Sequence, residues 1–197
     1  MSGPETIVAA FASVARPVML AYLGGDRRTC IASTRMAIET MRALGLEAEA
    51  VPVQFVVRCK ALNFAYISGF SHKARQRMAR QTGKPILTRG DGWNGHLIAA
   101  VAGRWLIDSS IDQIHSPDHG LVVEPCALVM PIPEGKVPSL KRLHVEARGE
   151  TDNGQRLEIS YRSIENHTYR DAEAWEFCAG MKWVVAAILD AMTRKVN

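Results

Sequence analysis

The stretch Gly95-His96-Leu97-Ile98-Ala99-Ala100-Val101-Ala102-Gly103-Arg104-Trp105-Leu106-Ile107-Asp108 decides the fold class of this chain. Two apolar runs, His96 to Val101 and Trp105 to Asp108, flank Ala102-Gly103-Arg104, the pattern of a β-hairpin. Upstream, Ala48 to Cys59 alternates and is rich in valine, a further strand. Downstream, Leu140 to Arg148 and Arg156 to Ser163 read as a second hairpin around Asp152-Asn153-Gly154. The N-terminal region is helical in pattern. Pro4 opens a helix with Ile7, Val8, Phe11 and Val14 on its apolar stripe, and Pro17 is expected to end it. A second helix should follow the Gly24-Gly25 turn, capped by Asp26 or Thr29, with Ile31, Met36, Ile38, Met41 and Leu44 as apolar positions and Gly45 as its stop. A last helix is expected from about Asp171 to Lys195, with Trp175 and Trp183 packing it. Together these elements predict an α+β fold, N-terminal helices packed on an antiparallel sheet.

The chain has 197 residues, of which 47% are apolar and 22% charged. That composition excludes disordered, collagen-like and coiled-coil proteins and is that of one globular domain spanning 1–197. A chain this long builds its core without metals or disulfides. Its apolar runs are interrupted at Arg16 and Pro17, so no stretch of the roughly 20 residues that a bilayer demands is read. Ser2-Gly3-Pro4-Glu5-Thr6 carries none of the basic residues of a secretory leader, and the expected location is cytoplasmic. Net charge is +4, from 24 Lys+Arg and 20 Asp+Glu, mild for a nucleic-acid binder. The charge is uneven, however. Lys73, Arg75, Arg77, Arg80, Lys84 and Arg89 follow one another from 72 to 89 with no acid among them, a solvated basic face or, as the weaker alternative, a contact for an anionic partner. The stretch 63–91 that holds them reads as an insertion near the first hairpin. Four widely spaced cysteines, Cys30, Cys59, Cys126 and Cys178, make neither a zinc motif nor a disulfide framework.

Cys30 stands in the first turn of the second helix, behind a glycine turn and Arg27-Arg28. Unpaired N–H groups at a helix start, the macrodipole and the two arginines favour a thiolate there. His96 and Asp108 are its expected partners. Twelve residues separate them, so they share a face of the hairpin, and a turn centred on Ala102 sets them directly opposite each other. A histidine facing a carboxylate is held in one tautomer, with its other nitrogen available to a thiol. The alternatives are an ordinary strand histidine, a turn-forming aspartate ahead of Ser109-Ser110, and a buried cysteine that does no chemistry.

The order of these residues and their flanks, Cys30-Ile31-Ala32-Ser33-Thr34-Arg35-Met36-Ala37, then Glu49-Ala50-Val51-Pro52-Val53, then Gly95 to Val101 and Gly103 to Asp108, resembles the transglutaminase-like cysteine superfamily. That superfamily is similar in turn to the arylamine N-acetyltransferases and, more distantly, to papain-like proteases. The resemblance covers about residues 20–113, the expected catalytic core, and leaves 117–197 as C-terminal strands and helix. It implies Cys30 as nucleophile, His96 as general base and acid, and Asp108 as the orienting carboxylate. It further implies attack on an amide, ester or thioester carbonyl of a peptide, amide or acyl substrate through a thioester acyl-enzyme, without cofactor or metal. The backbone N–H of Cys30 is a natural oxyanion donor, and Tyr22 or Asn94 is a candidate for the second. Trp93 is a candidate lining residue, with Trp105 also near the start of the hairpin, and Asp91-Gly92-Trp93-Asn94-Gly95 reads as the rim of the site. Arg28-Thr29 before Cys30 and Leu97-Ile98 after His96 differ from the aromatics common at those places in the superfamily, which leaves substrate class and acyl acceptor open. The competing reading is a binding or scaffolding module on the same fold with its triad unused.

Two further expectations complete the reading. His115-Ser116-Pro117-Asp118-His119 is a turn rather than a metal site, because Pro117 forbids the helix that would align its histidines. Cys59, Cys126 and Cys178 are expected to be small buried hydrophobes.

Overall fold

Strand β1, Ala48–Cys59, is the axis on which the rest is built. Its inward residues Val51, Val53, Phe55 and Val57 are all buried, as a valine-rich alternating strand requires. The computed structural model describes residues 3–27, 29–82, 93, 95–132 and 142–196. Among these the chain forms one antiparallel sheet with β2 (Phe64–Ser68), β3 (His96–Val101), β4 (Trp105–Asp108), β5 (Leu128–Pro131), β6 (His144–Glu150) and β7 (Arg156–Ser163). The order is β5-β4-β3-β1-β7-β6. One edge of β1 is shared: residues 48–53 pair with β3 and residues 55–59 pair with β2, while β7 covers the other edge. The sheet curls, because Met130 of edge strand β5 and Val145 of edge strand β6 belong to the same buried cluster as Phe55 and Tyr161.

Helices α1 (Pro4–Tyr22), α2 (Cys30–Ala43) and α4 (Ala179–Val196) cover the other face, and α3 (His72–Thr82) follows β2. Phe11, Met19, Met36, Met41, Ile188 and Met192 form a second buried cluster there with Ala99, Val101 and Ile107 of the sheet. Odd-numbered residues of β3 thus face the helices, and His96, Ile98 and Ala100 face the curled side.

Several boundaries differ from the sequence reading. Pro17 does not end α1, which continues to Tyr22. Burial of Met19 and Leu20 outweighs the roughly 3 kcal/mol that an internal proline costs, and the helix stops where Gly24 and Gly25 take positive φ. By length and composition alone α1 meets the minimum for a membrane span. Here its buried residues Val8, Phe11, Ala15 and Met19 pack in the helical core, and it carries the fully buried Arg16. Helix α2 begins at Cys30 with Thr29 at the cap position but without a side-chain cap bond. It ends in a Schellman turn, Leu46 N donating to Met41 O and Gly45 N to Arg42 O, which requires the positive φ of Gly45. The last helix starts at Ala179 rather than about 171, since residues 168–175 form short 3-10 turns. Trp183 on α4 is 79% exposed, not packed, whereas Trp175 stacks on Arg35 of α2. The stretch 63–82 is not a mere insertion: residues 64–68 are β2, and β5 too lay outside the expected strands. Helix α3 carries Lys73, Arg75, Arg77 and Arg80, while Arg28, Lys84, Arg89 and Asn94 lie outside the described residues.

Candidate active site

The site forms where β3 begins, at the seam between the helical layer and the curled side of the sheet. His96 is fully buried and stacks on Phe55 with ring centroids 4.5 Å apart. Its Nε2 lies 2.7 Å from Oδ2 of Asp108, which is likewise fully buried. The hairpin register differs from the one expected. Val101 pairs with Trp105 and Ala99 with Ile107, so the turn centres on Gly103 rather than Ala102, with both residues at positive φ. Equal parity keeps the two side chains on one face, and they meet diagonally across the end of the ladder.

Asp108 has more partners than an ion pair needs. Tyr161 of β7 donates its hydroxyl to Oδ2 at 2.8 Å, and the backbone N of Ser110 donates to Oδ1 at 3.0 Å. Burial alone would raise this carboxyl, but the charge and hydrogen bond of His96, with the donors from Ser110 and Tyr161, hold it below its ordinary value. Burial alone would likewise lower His96. The charge and hydrogen bond of Asp108, joined by those of Cys30, outweigh it and raise the imidazole to about 10. Cys30, half-buried at the first position of α2, lies near enough to the ring to contribute to that rise. Nε2 is committed to Asp108, so Nδ1 is the ring nitrogen turned away from the carboxylate. The three sequence-predicted residues Cys30, His96 and Asp108 are therefore brought together, in the order thiol, imidazole, carboxylate.

The remaining candidates are distributed elsewhere. Tyr22 is 43% exposed and its hydroxyl lies 3.5 Å from Sγ of Cys178, against the start of α4. Trp93 packs edge-on to Tyr169, and its ring comes so close to Gly95 that no Cβ fits there. Ser68 of β2 donates to Gly95 O at 2.8 Å, so the residue before His96 is held from two sides. Trp105 packs against the helical core. Cys59 is buried as expected, but Cys126 and Cys178 are exposed. The hydroxyl of Tyr22, followed by backbone N–H groups such as that of Met181, holds the Cys178 thiol below its usual range. Residues 115–119 do form a turn: Pro117–His119 is a 3-10 element, His115 Nδ1 bonds the backbone of Val123 and His119 Nδ1 meets Ser116. Among the described residues no group of three or more His, Cys, Asp or Glu is arranged to hold a metal ion.

Three contributors were not read from sequence. Gln113 reaches Nδ1 of His96 at 2.6 Å from the 3-10 turn Ile111–Ile114. Tyr161 completes the carboxylate shell. Arg16 of α1, fully buried, bonds Asp112 at 2.7 Å, Ser33 Oγ at 2.8 Å, Thr29 Oγ1 at 3.3 Å and Arg27 O at 3.1 Å. Arg16 thereby ties the approach to Cys30 to the turn that carries Gln113. A signal for it exists in the sequence, an arginine on the buried side of an apolar helical stripe, because such a charge requires a buried partner. Comparison with known protein families, curated proteins and solved structures finds no match to this chain.

Proposed function

We propose that this protein is a cysteine-dependent acyl-transfer enzyme or hydrolase with a papain- or transglutaminase-like arrangement of a nucleophile helix on a curled antiparallel sheet. The observation that carries the reading is the fully buried His96–Asp108 pair at 2.7 Å, with Cys30 at a helix start near enough to the same imidazole to help raise it. A buried imidazole stabilised in its charged form beside a thiol is suited to hold the thiol proton and to return it. In the first half-reaction Cys30 Sγ attacks the carbonyl carbon of an amide, ester or thioester. Electrons move onto the carbonyl oxygen, which the Cys30 backbone N–H at the helix start stabilises. As the oxyanion collapses, His96 Nδ1 gives its proton to the leaving group and a thioester to Cys30 remains. In the second half-reaction water or an amine attacks that thioester, losing its proton to His96, and the thiolate leaves. Asp108 keeps Nε2 occupied throughout and stabilises the imidazolium, a role seen in other cysteine and serine triads.

The test is to incubate the purified chain with a panel of activated acyl donors, p-nitrophenyl acetate and acyl thioesters among them, and to quench for peptide mass spectrometry. The reading expects an acyl increment on Cys30 that decays in water or passes to an added amine, and its absence in Cys30→Ala and His96→Ala. Acylation of Cys30 at an equal rate in the parent and His96→Ala contradicts it.

A further inference from the structure

Nδ1 of His96 has a partner that the proposed reaction does not use. The side-chain amide of Gln113 stands there, its Nε2 at 2.6 Å. Gln113 is itself buried and sits in a turn that is fixed at both ends. Asp108 accepts from the backbone N of Ser110, which starts the turn, and the adjacent Asp112 is locked to Arg16. The position of Gln113 is thus imposed by the fold rather than by the imidazole. An amide presents either face at the same place: its nitrogen only donates and its oxygen only accepts. A neutral ring that donates from Nε2 to Asp108 leaves Nδ1 bare, and it takes the amide nitrogen. A charged ring donates from both nitrogens, and Nδ1 takes the amide oxygen.

We propose that Gln113 is a positioning residue for His96, its amide oxygen accepting from protonated Nδ1 and holding the ring in its orientation beside Cys30. This inference rests on the acyl-transfer reading for its purpose but not for its geometry. Other charged or titratable groups face or surround the ring. They are Asp108 from β4, Tyr161 from β7 and Cys30 from α2, with Asp112 and its partners Arg16 and Arg27 behind Gln113. None of them is replaced by changing Gln113. With its oxygen turned to Nδ1, the amide stabilises the imidazolium that forms when the thiol gives up its proton.

The experiment is a titration of the His96 ring nitrogens by NMR in the full-length, 15N-histidine-labelled chain, comparing the parent with Gln113→Leu and Gln113→Glu. Thermal unfolding verifies that each variant is folded. Loss of the acceptor in Gln113→Leu should lower the midpoint of His96 by about one pH unit or more, whereas a carboxylate in Gln113→Glu should raise it. A midpoint that stays or rises in Gln113→Leu overturns the proposal, and Gln113→Glu serves as the control that position 113 reaches the ring. Should Gln113→Leu not fold, Gln113→Met decides in its place by the same criterion. The two readings fail separately. Opposite shifts in a chain that forms no acyl-enzyme remove the proposed function and leave the role of Gln113. Acylation of Cys30 in a chain whose His96 titration ignores Gln113 does the reverse.

Discussion

Replacing Arg16 by Met tests whether the helical layer and the site are joined by one buried ion pair. Both side chains of the Arg16–Asp112 pair are 0% exposed, and Nε donates to Oδ1 at 2.7 Å. Arg27, at 3.9 Å from Oδ2, is too far to replace it, and Oδ2 has no hydrogen-bond partner among the described residues. Breaking a buried pair from one side strands the other charge and costs about 3–5 kcal/mol. For a chain of this size each kcal/mol lowers Tm by roughly 2–4 °C, so Arg16→Met should lose on the order of 6–20 °C. Neutralising the stranded partner should restore much of this, so Arg16→Met/Asp112→Asn is expected to be more stable than Arg16→Met alone. The pH dependence has a fixed sign. Burial already raises the Asp112 carboxyl against the opposing charge of Arg16, so ionising it costs stability as pH climbs from the unfolded value through the folded one. Without Arg16 the carboxyl rises further, and Arg16→Met should gain on the parent as pH falls through that value. Calorimetry and urea titration between pH 5 and pH 8 measure both effects. A loss below about 1 kcal/mol, or a double variant no better than the single one, refutes the reasoning.

Three other outcomes follow from the geometry. Tyr161→Phe removes a donor 2.8 Å from a buried carboxylate and should cost about 1.5–3 kcal/mol in urea unfolding, with Asp108 titrating higher. The His96–Asp108 pair should bound the pH range of stability on both sides. The His96 contribution is complete below its unfolded value of about 6.5 and is lost as pH rises through about 10, and the Asp108 contribution is present above about 3.9 and lost as pH falls through its depressed value. Tm measured from pH 3 to pH 10.5 should fall on the alkaline side in the parent and flatten there in His96→Gln. Gly95→Ala forces the new methyl against the Trp93 ring, and should cost about 1–3 kcal/mol and slow acylation of Cys30, because residue 95 leads directly into His96.

The elements that carry the site were legible because their signals are local. The valine alternation of residues 48–59, the apolar runs on either side of Ala102-Gly103-Arg104 and the helix opening at Cys30 each lie within one window, and each forms where expected. Parity sufficed to put His96 and Asp108 on one face even though the register differs by two residues, since a shift of two preserves the face. What sequence did not reveal is what long-range packing decides. Met19 and Leu20 carry α1 past Pro17, a choice made by burial rather than by propensity. Strand β2 is short and mixed in pattern, and its pairing is fixed only by the free edge of β1. Gln113, Tyr161 and Arg16 lie 17, 65 and 80 residues from His96, and their roles come from where the curled sheet and the turn after Asp108 bring them. Trp183 departs for the opposite reason: an aromatic on an apolar helix reads as core, yet this one faces outward.

The most direct measurement of the central claim is the pH dependence of iodoacetamide alkylation at Cys30, resolved by peptide mapping, in the parent and in His96→Ala. Exposed Cys178, whose thiol is held low by Tyr22 and backbone N–H groups, is the internal reference that should not respond to His96. The account predicts that alkylation of Cys30 near neutral pH is faster in the parent than in His96→Ala. Equal profiles for Cys30 in the two proteins would contradict a working thiol–imidazole pair.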